Sequence, residues 1–254
     1  MKMKPSMKLH FTLLGISLSV IFLLSSCVKI PTEAPPLPNL KAKVRVIHAA
    51  TDLGEVNVKL DGQSIATLAM ESSSAYIDLN AGKHTFQVEE QPVDTLFIDT
   101  DFVGTVYLAT VFISDGDTTD RFIKKRERWM FNPPSPDTLA TVFFAQMSDT
   151  IAYKIDWSGD YSDSDTSFTD NGTLDNTLTY TKFASMKIPH KTFDVIDDTT
   201  TKYYPISNWT YTFYVVADSD TLLTITPTLS LGKAVTEVLL NPKANLTVKE
   251  FSNE

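Results

Sequence analysis

The side chains in this 254-residue chain with the widest chemical reach are His48, His84, His190 and the single cysteine, Cys27. A zinc site draws three or four nitrogen or sulfur ligands from short, regular spacings. No His-x-His, His-Glu-x-x-His or cysteine pair is present, so no metal centre is expected, and one cysteine cannot close an internal disulfide. Acyl or phosphoryl transfer would call for a Gly-x-Ser-x-Gly elbow or a glycine-rich phosphate loop. Neither occurs, no dinucleotide fingerprint is found, and serines and threonines are too numerous for one to stand out as a nucleophile. The expectation is a protein that is not an enzyme and carries no cofactor. A hydrolase would need an acidic pair converging at about 5 to 10 Å, which spacing along the chain does not show.

Binding chemistry has more candidates. Asp160, Asp163, Asp165 and Asp170, with Asp156 just ahead of them, crowd one polar stretch, Ser158 to Asn176. Calcium takes six to eight oxygens, but the glycine and terminal glutamate of an EF-type loop are missing, and a solvated surface loop is the preferred reading. Trp157 and Tyr161 flank this stretch and are the candidates for ligand contact, offering flat faces for sugars. Trp209 opens the apolar run Tyr211 to Val216 and is expected in a core. His48 alternates within a strand and is expected to pack or cap the end of its sheet. Arg121, Lys124, Lys125, Arg126 and Arg128 form the basic run of an otherwise acidic chain and are expected to protect a strand edge rather than contact phosphate. The following Trp129-Met130-Phe131 should bury against the second domain or another protein.

The elements around these residues begin with a leader. Lys2, Lys4 and Lys8 precede the apolar run Leu9 to Leu24, which is shorter than the roughly 20 residues of a membrane span. It ends in Leu24-Ser-Ser-Cys27, which looks like the bacterial lipobox, in which Cys27 is lipid-modified and becomes the first residue. Residues 28–40, with Pro31, Pro35, Pro36 and Pro38, suit an extended tether. The net charge of −9 becomes more negative once the lysines of the leader are removed, which disfavours nucleic acid and anionic lipid surfaces. Attachment to the bilayer is therefore expected through acyl chains on Cys27.

Past residue 40 the pattern is all-β: short β-branched and aromatic runs separated by turn clusters, at least seven within about 90 residues. Val56-Asn-Val-Lys-Leu60 alternates and ends in the hairpin pair Asp61-Gly62. A repeat is visible. Ala42-Lys-Val-Arg-Val-Ile-His-Ala lies over Ala140-Thr-Val-Phe-Phe-Ala-Gln-Met, which sets His48 against Gln146. Lys83 to Val88 lies over His190 to Val195, and Val106 to Phe112 over Tyr211 to Val216. Two tandem antiparallel, immunoglobulin-like β-sandwiches follow, at 41–131 and 138–254, independent of one another and joined by a proline-rich linker at 132–137. The extra length of the second is placed in the loop from Ser158 to Asn176.

Val44-Arg-Val-Ile-His-Ala-Ala-Thr-Asp52, then Val56-Asn-Val-Lys-Leu-Asp-Gly62, then Leu79-Asn-Ala-Gly-Lys-His-Thr-Phe-Gln-Val88 resembles the DUF4397 domain of bacterial envelope proteins. The second half carries the resemblance through the repeat alone, with Ser158-Gly159-Asp160 in place of the Asp-Gly turn. The resemblance implies an immunoglobulin-like sandwich outside the cytoplasm and no particular activity. With the lipobox, the chain looks like an outer-membrane or surface lipoprotein of the Bacteroidota, and Asp-Thr pairs such as Asp94-Thr95 and Asp220-Thr221 resemble the glycosylation sequon of that phylum. The same pairs are also how turns hand over to strands. The function expected is a non-catalytic module that binds or scaffolds envelope proteins; the alternative is a surface lipoprotein that binds glycans through aromatics of its second domain.

Overall fold

The computed structural model describes residues 40–114, 117–118, 120–129, 140–189, 193–196 and 201–253. The leader with Cys27, the tether to residue 39, the 132–137 linker, His190, Met130 and Phe131, and the side chain of Trp129 lie outside the described residues.

Ten strands make up the first half: β1 (Lys41–His48), β2 (Val56–Leu60), β3 (Gln63–Leu68), β4 (Ile77–Asn80), β5 (Gly82–Val88), β6 (Asp94–Ile98), β7 (Phe102–Leu108), β8 (Ile113–Ser114), β9 (Asp117–Thr118) and β10 (Phe122–Trp129). One sheet runs β10-β7-β1-β4 and the other β3-β2-β5-β6. The second half comprises β11 (Ala140–Gln146), β12 (Tyr153–Ser162), β13 (Ser167–Leu178), β14 (Phe183–Ile188), β15 (Phe193–Val195), β16 (Thr201–Tyr203), β17 (Trp209–Ala217), β18 (Asp220–Ile225), β19 (Ala234–Leu240) and β20 (Thr247–Asn253). Its sheets run β14-β11-β19-β20 and β13-β12-β17-β18. Position by position this is the order of the first half, with β11 for β1, β12 for β2, β17 for β5 and β19 for β7.

The all-β class and the sandwich architecture hold, with one refinement. β1 pairs with β7 and β11 with β19 in parallel, because the intervening chain passes through the partner sheet before it returns. The sheet order also corrects two of the three repeat alignments. Lys83–Val88 is β5, whose counterpart is β17 and not the strand at Phe193. Val106 lies on β7, whose counterpart is β19 and not Tyr211–Val216. Only the first block, β1 over β11, pairs true equivalents.

The cores explain the patterns. Val44, Val46, Val58, Phe86, Ile98 and Phe122 are among the residues that close the first sandwich, and Val142, Phe144, Ile155, Phe213, Val215 and Leu239 among those that close the second. A third cluster joins Ile47, Tyr107 and Ala109 to Ala145, Met147, Val238, Leu240 and Phe251. The sheet holding β1 and β7 thus packs face to face on the sheet holding β11 and β19. Covered on both faces, β7 is buried at every position, which is why it reads as a continuous run instead of an alternation. Leu40–Glu254 is one compact unit, so the halves are not the independent domains expected from the proline linker.

The polar stretch Ser158 to Asn176 is not an inserted loop. It is most of a long antiparallel hairpin, β12 paired with β13 from Tyr153↔Leu178 to Ser162↔Ser167. Gly159 lies inside β12 and makes no turn. A Cβ there would come within 2.7 Å of the Tyr211 ring, and one at Gly172 within 3.0 Å of the Trp157 indole, so both glycines clear space for aromatic rings. A second addition went unnoticed in the sequence. Between β4 and β5 only Ala81 intervenes, whereas between β14 and β17 the chain builds the β15–β16 ribbon.

Candidate interaction sites

His48 ends β1 with no exposed surface. Its Nε2 lies 2.7 Å from the Gly54 carbonyl and its Nδ1 3.2 Å from the Ala50 amide, so the neutral ring donates from Nε2 and accepts at Nδ1. Burial pushes the imidazole below its usual 6.5. Both nitrogens are committed to folding the loop after β1, as the capping reading of His48 expected. Around it Arg121 spans both carboxylate oxygens of Asp52 at 2.9 and 3.0 Å, and the Thr51 amide donates to Thr110 Oγ1 at 2.8 Å. Gln146 does the same work after β11. Its Oε1 accepts from the Ser148 amide at 2.7 Å, and its Nε2 donates to the carbonyls of Asp149 and Ile151 at 3.0 and 2.9 Å.

Arg45 is the polar centre of the face between the sandwiches. Its guanidinium donates to Thr105 Oγ1 at 2.8 Å, Glu127 Oε1 at 3.0 Å and the Ser252 carbonyl at 2.7 Å, and also to Asn253 Oδ1. The Arg45 and Glu127 side chains are 4% and 2% exposed. Glu127 also accepts from Tyr76 and Thr105 at 2.7 and 2.6 Å, so every part of the ion pair is satisfied. In the basic run, Lys124, Lys125 and Arg126 behave as an edge device: β10 is an outer strand, Lys124 and Arg126 pair with Asp99, and Lys125 lies over the Phe183 ring of the other half, while the side chain of Arg128 lies outside the described residues.

Trp157 and Tyr161, expected at the surface as sugar-stacking faces, are buried at 6% and 2% exposure. Both point inward from β12, where alternation puts Tyr153, Ile155, Trp157, Gly159 and Tyr161 on the core face. Tyr161 stacks on Phe168 and meets Tyr204 and Trp209 edge-on. Trp209 is buried, as expected of a core residue. The aspartates lie apart along the outer face and tip of the hairpin. Asp156 bonds Thr173, Asp160 bonds Thr169 at 2.6 Å, and Asp163 caps the turn through the amides of Asp165 and Thr166. The Tyr161 hydroxyl and those amides hold the Asp163 carboxyl down at about 2. No group of three metal-ligating side chains occurs among the described residues.

Residues 42–119 match the family described as "Domain of unknown function (DUF4397)". The match ends inside the first half, where Arg45, His48, Asp52, Asp61 and His84 are held by internal hydrogen bonds. Among solved structures the chain is similar to the Bacillus anthracis TIE protein, at 9% identity and a TM-score of 0.23 over 80% of this chain, which spans 34% of that protein. It is also similar to the tip fimbrial protein Mfa3 from Porphyromonas gingivalis, at 10% identity and a TM-score of 0.27, covering 84% of this chain and 99% of that one. A third is the family CBM26 module of Eubacterium rectale Amy13K solved with maltoheptaose, at 8% identity and a TM-score of 0.26, covering 84% and 98%. No curated protein matches the chain.

Exposed aromatic surface lies on the ribbon of the second half instead. The β15–β16 ribbon turns Phe193, Val195 and Tyr203 outward at 51%, 67% and 71% exposure, with Ile196 beside them. Phe193 and Tyr203 are cross-strand partners with ring centroids 6.2 Å apart. The polar residues between them face the body: Asp194 accepts from the Tyr204 hydroxyl at 2.7 Å, and Lys202 reaches Asp163. The usual amphipathic arrangement is inverted. The available signal was the alternation of Phe193-Asp-Val195 against Lys202-Tyr203, too short to assign from sequence.

Proposed function

We propose that this protein is an outer-membrane lipoprotein, anchored through acylated Cys27, that acts as a non-catalytic module holding other envelope proteins. The observation that carries the reading is the ribbon of the second half, which spends its polar side chains on the body and its apolar ones on solvent. A contiguous apolar face of this kind is a site for a partner. The buried polar groups support the same reading, since His48, Arg45 and Glu127 are fully committed to internal partners and none is poised towards a cleft. The two sandwiches are a rigid support, and residues 28–40 supply reach from the bilayer.

Cross-linking in native membranes followed by mass spectrometry tests this directly. Reproducible envelope-protein partners attached near residues 193–203, lost together with membrane retention in Cys27→Ala, are the expected result. Recovery of no partner would overturn the scaffolding role, and membrane retention of a trimmed Cys27→Ala protein would overturn the anchor. A glycan-binding reading is favoured by the Phe193–Tyr203 pair, which takes the place of the buried Trp157 and Tyr161 as a stacking surface. Saccharide-array binding abolished by Tyr203→Ser would select it.

A further inference from the structure

Among the described residues, the inner strand β17 of the second sandwich is left unpaired along part of one side. β17 pairs with β12 from Trp209 to Val216, but with β18 only from Phe213 to Ala217. The chain leaves the sheet after Ile225, and Pro227, which has no N–H for a ladder, leads it away towards β19. The first half has no overhang at this end, because β6 follows β5 from its first residue, Gly82↔Ile98; there the unmatched residues are Gln87 and Val88 at the other end. Beside the overhang, between it and the chain that follows β18, is a cleft of about 370 Å³, lined among others by Ile206, Ser207, Trp209, Thr226, Leu229 and Leu231. Leu231 is 49% exposed at its rim.

The surroundings define what fits. A strand laid beside this overhang would send alternate side chains to opposite faces. One face is the cleft, where Ile206, Leu229 and Leu231 sit among the polar Ser207, Thr210 and Thr226, and whose volume suits one or two side chains. The other is the outer face of the sheet, where Thr210 is paired with Asp160 on β12. Asp160 is exposed, bonds the Thr169 hydroxyl and has no cationic partner among the described residues. It lies two strand spacings, about 10 Å, from an added strand, within reach of a lysine or arginine.

We propose that the overhang of β17 ahead of Phe213 is a docking edge for an extended peptide segment of alternating apolar and basic residues. Main-chain pairing supplies the general affinity and the cleft selects the apolar residue. The site is separate from the β15–β16 ribbon and does not rest on membrane anchorage.

The test uses the full chain and a fluorescein-labelled, acetylated and amidated peptide of alternating lysine and leucine, roughly eight residues long. Saturable binding by fluorescence anisotropy is expected, with slowed amide exchange in residues 209–212. Leu231→Asp, at an exposed loop position, should weaken binding at least about tenfold, as should N-methylation of alternate peptide amides, while Tyr203→Ser should leave it unchanged. Absence of binding at about 1 mM peptide, equal binding of the N-methylated peptide, or indifference to Leu231→Asp would each overturn the proposal. A loss with Tyr203→Ser would move the site to the ribbon.

Discussion

His48 and Gln146 stand at the same place in the two sandwiches and share almost no chemistry of their own, yet each accepts from the amide two residues on and donates to a carbonyl farther along the loop. What the position requires is one acceptor and one donor on a planar group at a strand end, and a titratable ring is incidental. Other equivalent positions behave differently. Arg45 in β1, on the face between the halves, corresponds to Phe143 in β11, and Val106 in β7, in the core of the first sandwich, to Glu237 in β19, so each half buries charge where the other is apolar. The fold tolerates either choice only where neighbours complete it: Arg45 has Glu127, Thr105 and the end of β20, whereas Glu237 has Glu250 and an Oε1 without a partner.

The largest effect should therefore come from Arg45→Ala, which strands Glu127 inside the face between the halves. Breaking a buried pair costs about 3 to 5 kcal/mol. Urea denaturation should show that loss, and the halves should begin to unfold separately once the polar link to Ser252 and Asn253 is gone. A loss under about 1 kcal/mol would mean that the apolar cluster alone joins the two halves.

Several of these features were legible in the sequence. Alternation and turn residues gave the all-β class, the match of Ala42–Ala49 with Ala140–Met147 located two equivalent strands and the exchange of His48 for Gln146, and the basic run fell on an edge strand. The failures have a common physical origin. Thr-Phe-x-Val satisfies any half-buried strand, so the block ending in Phe193-Asp-Val195 looks like β5 in sequence, whereas Phe193–Val195 is a strand of the added ribbon. The Ser158–Asn176 stretch looked like a loop because the outer face of an exposed hairpin is polar and its glycines resemble turn residues. Those glycines are there because Trp157, Trp209 and Tyr211 lie over them, a contact made across strands that local sequence does not encode. The exposure of Trp157 and Tyr161 was misjudged for the same reason.

Glu237→Gln probes the second exchange. Burial pushes the Glu237 carboxyl up to about 8, and Glu250 across the ladder adds to the rise. The folded chain then holds a proton that the unfolded chain releases near 4.5. The stability due to this group is complete below that value and is lost as pH rises to about 8. Denaturation midpoints should show the wild type weakening from pH 5 to pH 9 and the variant weakening less, with a gain on the order of 2 kcal/mol at the alkaline end. Equal slopes would show that Glu237 is not buried as a neutral acid.

His48→Gln puts the second half's solution into the first. At pH 7.5 its cost should stay within about 1 kcal/mol, against roughly 1 to 3 for His48→Ala, which leaves a buried amide and a carbonyl unpaired. The pH dependence separates shape from charge. The His48 imidazole is held below 6.5 when folded, so its contribution is present above that value and is lost as pH falls through it. The glutamine variant should lose less stability than the wild type between pH 6.5 and 5. A matching acid loss in both would assign that loss to other groups.

The smallest effect on the fold should come from the addition that distinguishes the halves most. The ribbon has no counterpart in the first sandwich, and Tyr203 and Val195 contribute little to any buried surface. Replacing both with serine removes exposed apolar area and should leave the melting temperature unchanged within the roughly 0.5 kcal/mol expected of surface positions. If the ribbon serves a partner, the same double variant should lose its cross-links in native membranes while circular dichroism stays that of the wild type. A drop in stability beyond about 1 kcal/mol would show instead that Phe193, Val195 and Tyr203 hold the second sandwich together, and the inverted alternation would then be a feature of folding with no bearing on binding.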